Sequence, residues 1–413
     1  VVSVNRLVSA AAIGLLSLTV DMRLCRADVI TDWDAKATEA ASPAALGERE
    51  AAIVNLAMFD AVNSIERRYQ PYLLELPASE PVSAAAAAAS AAATALGLLH
   101  PQAANDFKTA LAQYLSDVPA SAAAIESGTR LGEAIAQKMV ESRAMDGATG
   151  VDSYRPKTVP GQYAATATMT CSTWPNMRPF ALASPSQFRP AAPPLLKSRE
   201  WATDYNESKE FGSKNSSQRN AQQTEIARFW LMTGPQAYHP LARQLVLARH
   251  LNLVDSARFM AMFAVTLTDA YIAVFDAKYH YDFWRPVTAI RNSDVNNNPD
   301  TKPDAFWQPL DATPMHPEYP CAHCIESGAA RALLESLDPG TPMPELSLTS
   351  STAPGVTHHW SNLDDFVQEV ANARIWAGFH YRFSTRVGTA VGGQVGQYVV
   401  ENTMQPLNRT AAR

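Results

Sequence analysis

The sequence predicts an all-α protein. Alanine is abundant and β-branched runs are few, a balance that favours helix over strand. Apolar residues recur at three- and four-residue steps in one segment after another, and stretches rich in Pro, Gly, Thr and Ser separate those segments. At 413 residues the chain can bury a large core or divide into two or three smaller ones.

The elements follow in order. Residues 1–27 read as an export signal: Arg6, then the apolar stretch 7–20, then Cys25-Arg26-Ala27 as a small-residue cleavage site. Residues 28–146 form an N-terminal helical half. Within it, 46–68 places Ile53, Leu56, Phe59, Ala61 and Ile65 on one face, and the alanine-rich run 81–99 is a buried helix rather than a membrane span. Phe107, Leu111 and Leu115 mark a helix within 100–119. Ser121 caps another, which carries Ile125, Leu131, Ile135 and Met139. Residues 147–200 break the pattern. Their embedded Trp174, Phe180 and Phe188 predict a long loop packed over the functional site. Residues 201–402 form the C-terminal helical half, with helices expected over 199–232, 238–276, from His323 onward, 361–379 and 384–402. Irregular stretches are expected at 293–320 and 340–360, and a frayed tail at 403–413.

A formal charge of −6 and a pI near 5.9 exclude nucleic acid and acidic membrane surfaces as main partners, and no segment predicts stable membrane insertion. Against that acidic background, the C-terminal third gathers Lys278, Arg285, His323, Arg374 and His380 in KYHYDFWRP, PCAHC and ARIWAGFHYRF. Three cations and two imidazoles suit a tetrahedral oxyanion: guanidinium and ammonium groups neutralise its oxygens, one histidine bonds the central atom, and the other moves a proton. At the start of the helix led by His323, the amides of Cys321 and Ala322 are expected to add donors. The Cys321-x-x-Cys324 pair beside His316 and His323 would also suit zinc, but the second ligand pair of such a site is missing. Among Cys171, Cys321 and Cys324, one disulfide and one free thiol are expected, with the pairing open. His358 and His359 are placed in a loop or at the entrance, and His280 and Asp282 behind the site.

The order Lys278-x6-Arg285-Pro286, Pro320-Cys321-Ala322-His323, Ala373-Arg374-x5-His380 resembles the motif set of the vanadium-dependent haloperoxidase and type 2 phosphatidic acid phosphatase superfamily, in its bacterial haloperoxidase-related branch. The motifs span 278–380. Two positions depart from the pattern: Cys321-Ala322 stands for Ser-Gly, and Ser384 stands for the Asp expected four residues past the last histidine. The resemblance implies helical bundles, vanadate as cofactor, and hydrogen peroxide and halide as substrates. It assigns His380 as the vanadate ligand, Lys278, Arg285 and Arg374 (with Cys321 and Ala322) as oxyanion partners, and His323, His380 and Lys278 as the catalytic set. Phe275, His316 and Ser384 would line the halide site or support the histidine. His316 occupies a position that tilts the reading toward bromide or iodide. The superfamily's other chemistry, hydrolysis of a small phosphate ester through a phosphohistidine, is the alternative. Oxyanion binding without catalysis is a third. A secreted or periplasmic bacterial location follows from the signal reading, and an oligomer is compatible with it.

Overall fold

A computed structural model describes residues 28–407 apart from 44, 79, 153 and 166. The export signal expected at 1–27 lies outside the described residues. Thirteen α-helices run through the described residues. The N-terminal half holds α1 (Val29–Ala40), α2 (Ala45–Glu66), α3 (Ala84–Leu99), α4 (Ala104–Ser116) and α5 (Ala122–Ser142). The alanine helix α3 packs closely against α5 and α2 because its short side chains let backbones approach, and Ala86 to Ala92 are buried.

The second half holds α6 (Arg199–Phe211), α7 (Ala221–Phe229), α8 (His239–Ala248), α9 (Leu253–Tyr281), α10 (Pro286–Arg291), α11 (Ala322–Ser336), α12 (Leu363–Trp376) and α13 (Arg382–Asn402). The central helix is α9. It is long and apolar enough by composition to cross a bilayer, yet its apolar window is wholly buried, against α2 on one side and α11 and α13 on the other.

The structure corrects several expectations. The helix expected over 238–276 is two, α8 and α9, broken where His250 takes φ 49° and Asn252 caps the new helix through the Asp255 amide. The stretch 340–360, read as loop, forms an antiparallel hairpin of β1 (Leu346–Ser350) and β2 (Ala353–Trp360), pairing Leu346 with Trp360. Turn residues and two histidines hid its short alternation. The described tail does not fray through 407: Tyr69 bridges Pro406, and the Leu407 amide donates to the Arg68 carbonyl.

The 147–200 segment is anchored along α9 and the strand-like stretch after it. Asp269 accepts hydrogen bonds from the amides of Phe180, Ala181 and Leu182 at 2.7, 2.7 and 2.9 Å. One turn-pair further on, Asp276 takes a two-pronged bond from Arg189, 2.7 Å on each arm. The Tyr163 amide donates to the Asp282 carbonyl at 2.7 Å, and the Thr170 amide to the Met315 carbonyl at 2.9 Å. The loop therefore lies over the backbone that carries Lys278, Arg285 and His316.

Candidate oxyanion site

Each of the predicted cations is delivered by a different local device. Lys278 sits in the last turn of α9, which stops at Asp282 in the left-handed conformation (φ 51°). Three residues on, Arg285 precedes Pro286 at the start of α10, where proline's missing N–H costs nothing. Arg374 lies in the last turn of α12. The chain then reverses through Gly378 (φ 78°), where a Cβ would meet the Gly212 carbonyl oxygen at 2.5 Å, so only glycine fits. That reversal carries His380 back beside Arg285. His380 occupies the link between α12 and α13, in the gap between the helices expected over 361–379 and 384–402.

The structure brings all five groups together and buries them, with His323, the most open, 6% exposed. Lys278 Nζ donates to the carbonyls of Pro317 and Glu318 at 3.0 and 2.7 Å. Arg285 donates from Nε to the His316 carbonyl at 2.9 Å. Its other nitrogens reach the Phe379 carbonyl at 3.0 Å, His380 Nε2 at 3.1 Å and His316 Nδ1 at 3.0 Å. Arg374 donates to the Trp230 carbonyl at 2.6 Å and lies over the Phe379 ring, while its buried Nε has no partner among the described residues.

Arginine and lysine only donate, which fixes the protonation of their neighbours. His380 Nε2 faces Arg285 and must carry the lone pair. Its Nδ1–H donates to Glu318 Oε1 at 2.6 Å. His323 donates from Nε2 to the Met232 carbonyl at 3.0 Å, leaving Nδ1 as its basic atom. His316 Nδ1 accepts from Arg285, and its ring stands edge-on to Phe275 at 5.2 Å.

Electrostatics follow from burial and crowding of like charges. Burial, then the neighbouring Arg285, holds Lys278 well below the usual lysine range. Burial presses Arg285 down to about 10, and burial with Arg285 beside it presses Arg374 to about 9; both stay cationic near neutrality. Burial, followed by the adjacent cations, keeps His380, His323 and His316 well below the ordinary histidine value, so all three are neutral bases. The one carboxylate among them is Glu318, pushed up to about 7 by burial against the pull of Lys278 and Arg285.

Two expected partners behave differently. Cys321 leaves the anion-binding set: its amide donates to the Ser384 carbonyl at 3.3 Å, and its sulfur is joined to Cys324, with Cys171 free. That pairing also removes the zinc reading of the motif. Ala322 and His323 open the N-terminus of α11, whose first-turn amides lack intrahelical acceptors. Ser384 is buried with its hydroxyl beside the Glu318 carboxylate, where it helps hold the negative charge. His358 lies outside the site, on β2, stacked on Phe229 at 4.0 Å and held between Glu369 and Glu225. His359 is on the same strand and half exposed at its side chain, and His280 is exposed at the end of α9. Asp282 accepts from the Tyr154 hydroxyl at 2.7 Å and so braces the loop rather than the anion pocket.

Sequence reasoning missed Glu318 and the carbonyls of Trp230 and Met232. A lone glutamate within MHPEYPCAHC was the available signal for the first; backbone carbonyls leave none.

With this geometry in hand, comparison with known proteins places the chain. Residues 258–409 match the VCPO second helical-bundle domain. The vanadium chloroperoxidase of Curvularia inaequalis is 24% identical over 232 residues, an alignment covering 41% of this chain and 37% of that protein. A bacterial vanadium-dependent iodoperoxidase superposes with a TM-score of 0.78 at 21% identity, covering 92% of this chain and 97% of the other. The chain has the vanadium haloperoxidase fold. A bacterial vanadium-dependent chloroperoxidase agrees, with TM-scores of 0.69 for its apo form and 0.70 for its holo form, each at 16% identity over 87% of this chain. The chain thus spans little more than a third of the length of the fungal relative, but nearly the whole of the bacterial structures. The helical-bundle expectation holds, as does the resemblance on which it rested.

Proposed function

We propose that this protein is a vanadate-dependent haloperoxidase. The observation that carries the reading is the crowding of three buried basic side chains, two of them cationic arginines, with three histidines and Glu318, whose carboxyl is itself pushed up to about 7. Buried like charges are costly unless an anion joins them. The donor set fits vanadate. Among the described residues Arg374 Nε is buried and unpartnered, the His380 Nε2 lone pair is turned toward Arg285, and the α11 N-terminus adds open amides.

Vanadate supplies Lewis-acid activation of hydrogen peroxide toward a halide. The chain's residues supply the rest. His380 Nε2 would hold the group, Lys278, Arg285 and Arg374 would neutralise its oxygens, and Lys278 would be the donor that polarises the peroxide. His323, neutral and with Nδ1 free to accept, moves the proton. His316 and Phe275 flank Arg285 where a halide would approach, and His316 in place of an apolar ring favours bromide or iodide. The Cys321–Cys324 disulfide supports an oxidising, exported location, in keeping with the signal-like N-terminus.

The test is reconstitution of the purified apo-protein with orthovanadate, followed by halide-dependent peroxide consumption, with p-nitrophenyl phosphate hydrolysis measured without vanadate. Halide oxidation that phosphate suppresses is the expected result. Vanadate-inhibited phosphatase activity instead would assign His380 as nucleophile and His323 as acid toward a phosphate ester. Silence in both assays would leave an oxyanion binder. His380→Ala is expected to lower the observed activity at least about 100-fold while leaving the melting transition in place; retained activity would displace His380 from the site.

A further inference from the structure

We propose that Glu318 is the positioning residue for His380, holding its imidazole in the Nδ1–H tautomer and aiming Nε2 into the oxyanion pocket. The inference rests on the reading of His380 as the ligand histidine. Ser384 stands where a carboxylate would follow that histidine, but its hydroxyl sits beside Glu318 and has no bond to the His380 ring, so the orienting contact comes from elsewhere. Glu318 provides it from a different segment, 62 residues earlier in the chain: its Oε1 accepts from His380 Nδ1 at 2.6 Å and from the Tyr381 amide at 3.3 Å.

The same residue is tied into the pocket through its backbone. Its carbonyl accepts from Lys278 Nζ at 2.7 Å, and its amide donates to the Phe283 carbonyl at 2.8 Å, two residues before Arg285. One residue therefore registers Lys278, the Arg285 segment and His380 against one another. The main chain of His380 is fixed separately, its carbonyl accepting from Ser208 Oγ of α6 at 2.8 Å. With the backbone held from one side and the ring from the other, Arg285 donating to Nε2 and the Glu318 carboxylate accepting from Nδ1–H select the same tautomer, and Glu318 makes the shorter contact.

A purely structural glutamate would balance charge without selecting a tautomer. The separating experiment reads the tautomer directly, by two-bond ¹⁵N–¹H correlation of the His380 ring in the vanadate-free protein, together with calorimetric binding of orthovanadate. The parent is expected to show Nδ1–H. Glu318→Ala should reduce that preference, leaving only Arg285 to favour it, and weaken orthovanadate binding roughly 10- to 100-fold, and the double change Glu318→Ala with Ser384→Asp should restore both. Glu318→Asp, which keeps the charge but shortens the reach, gives the same test should the alanine variant fail to fold; it is expected to disturb the tautomer partially. An unchanged Nδ1–H tautomer and unchanged orthovanadate affinity in the variants would overturn the proposal. If the parent binds no orthovanadate but the tautomer still shifts with Glu318, the positioning role stands and the haloperoxidase reading falls.

Discussion

Lys278 carries the proposed anion reading at the scale of one residue. Two carbonyls hold its ammonium, yet burial and Arg285 press it toward neutrality. A bound anion relieves that strain, so binding and stability are linked. Orthovanadate or phosphate at one hundred times its dissociation constant should stabilise the parent by about 2.7 kcal/mol, read as a rise in melting temperature. Lys278→Met should erase most of that rise, whatever it does to the unliganded protein; an undiminished rise would place the anion elsewhere. The motif residues were legible because their chemistry is written in residue type and spacing. Glu318 was not, because its partner lies 62 positions away and only folding brings the two together.

Between elements, two contacts decide how α11 presents His323. The first is its packing on α13: a Cβ at Gly392 would meet the Ile325 carbonyl oxygen at 1.9 Å, so the helices touch backbone to backbone. Gly392→Ala should cost roughly 2–4 kcal/mol by forcing them apart, measurable by denaturant unfolding, and should loosen anion binding through His323.

The second is a buried polar network joining α1, α2, α8 and α11. Asp34 accepts from His239 at 2.7 Å and from Arg243 at 2.7 Å, and His239 lies 3.4 Å from Glu48. Burial opposes the charge on His239, but Asp34 and Glu48 outweigh it and raise the group to about 9. Its contribution is therefore whole below about 6.5 and fades as pH rises through about 9. Glu326, on α11 one turn beyond His323, is raised well above the usual carboxyl range by burial and then by Glu48. A raised carboxyl stabilises the fold below its unfolded value and withdraws that support as pH climbs. Glu326→Gln should thus match the parent near pH 4 and exceed it in stability at neutral and alkaline pH. A variant less stable than the parent at pH 8 would contradict this account.

For the whole molecule, a chain of net charge −6 buries Lys278, Arg285 and Arg374 together at one place in its interior. The 147–200 segment covers that interior through Asp269, Asp276 and the Asp282 carbonyl. Helix content, the order of the helices and the cationic motif set were readable from the chain by itself, since amphipathic spacing and residue chemistry are local properties. The α8–α9 break and the β1–β2 hairpin were not, because each depends on a left-handed residue or a strand partner that tertiary contacts select. The sequence by itself determined that three basic side chains and two histidines, in a fixed order, belong to a helical protein. Only the tertiary structure decided how its protons are held, with Glu318 on His380, the Met232 carbonyl on His323, and Cys321 withdrawn into a disulfide, because hydrogen bonds between distant segments exist only once the chain has packed.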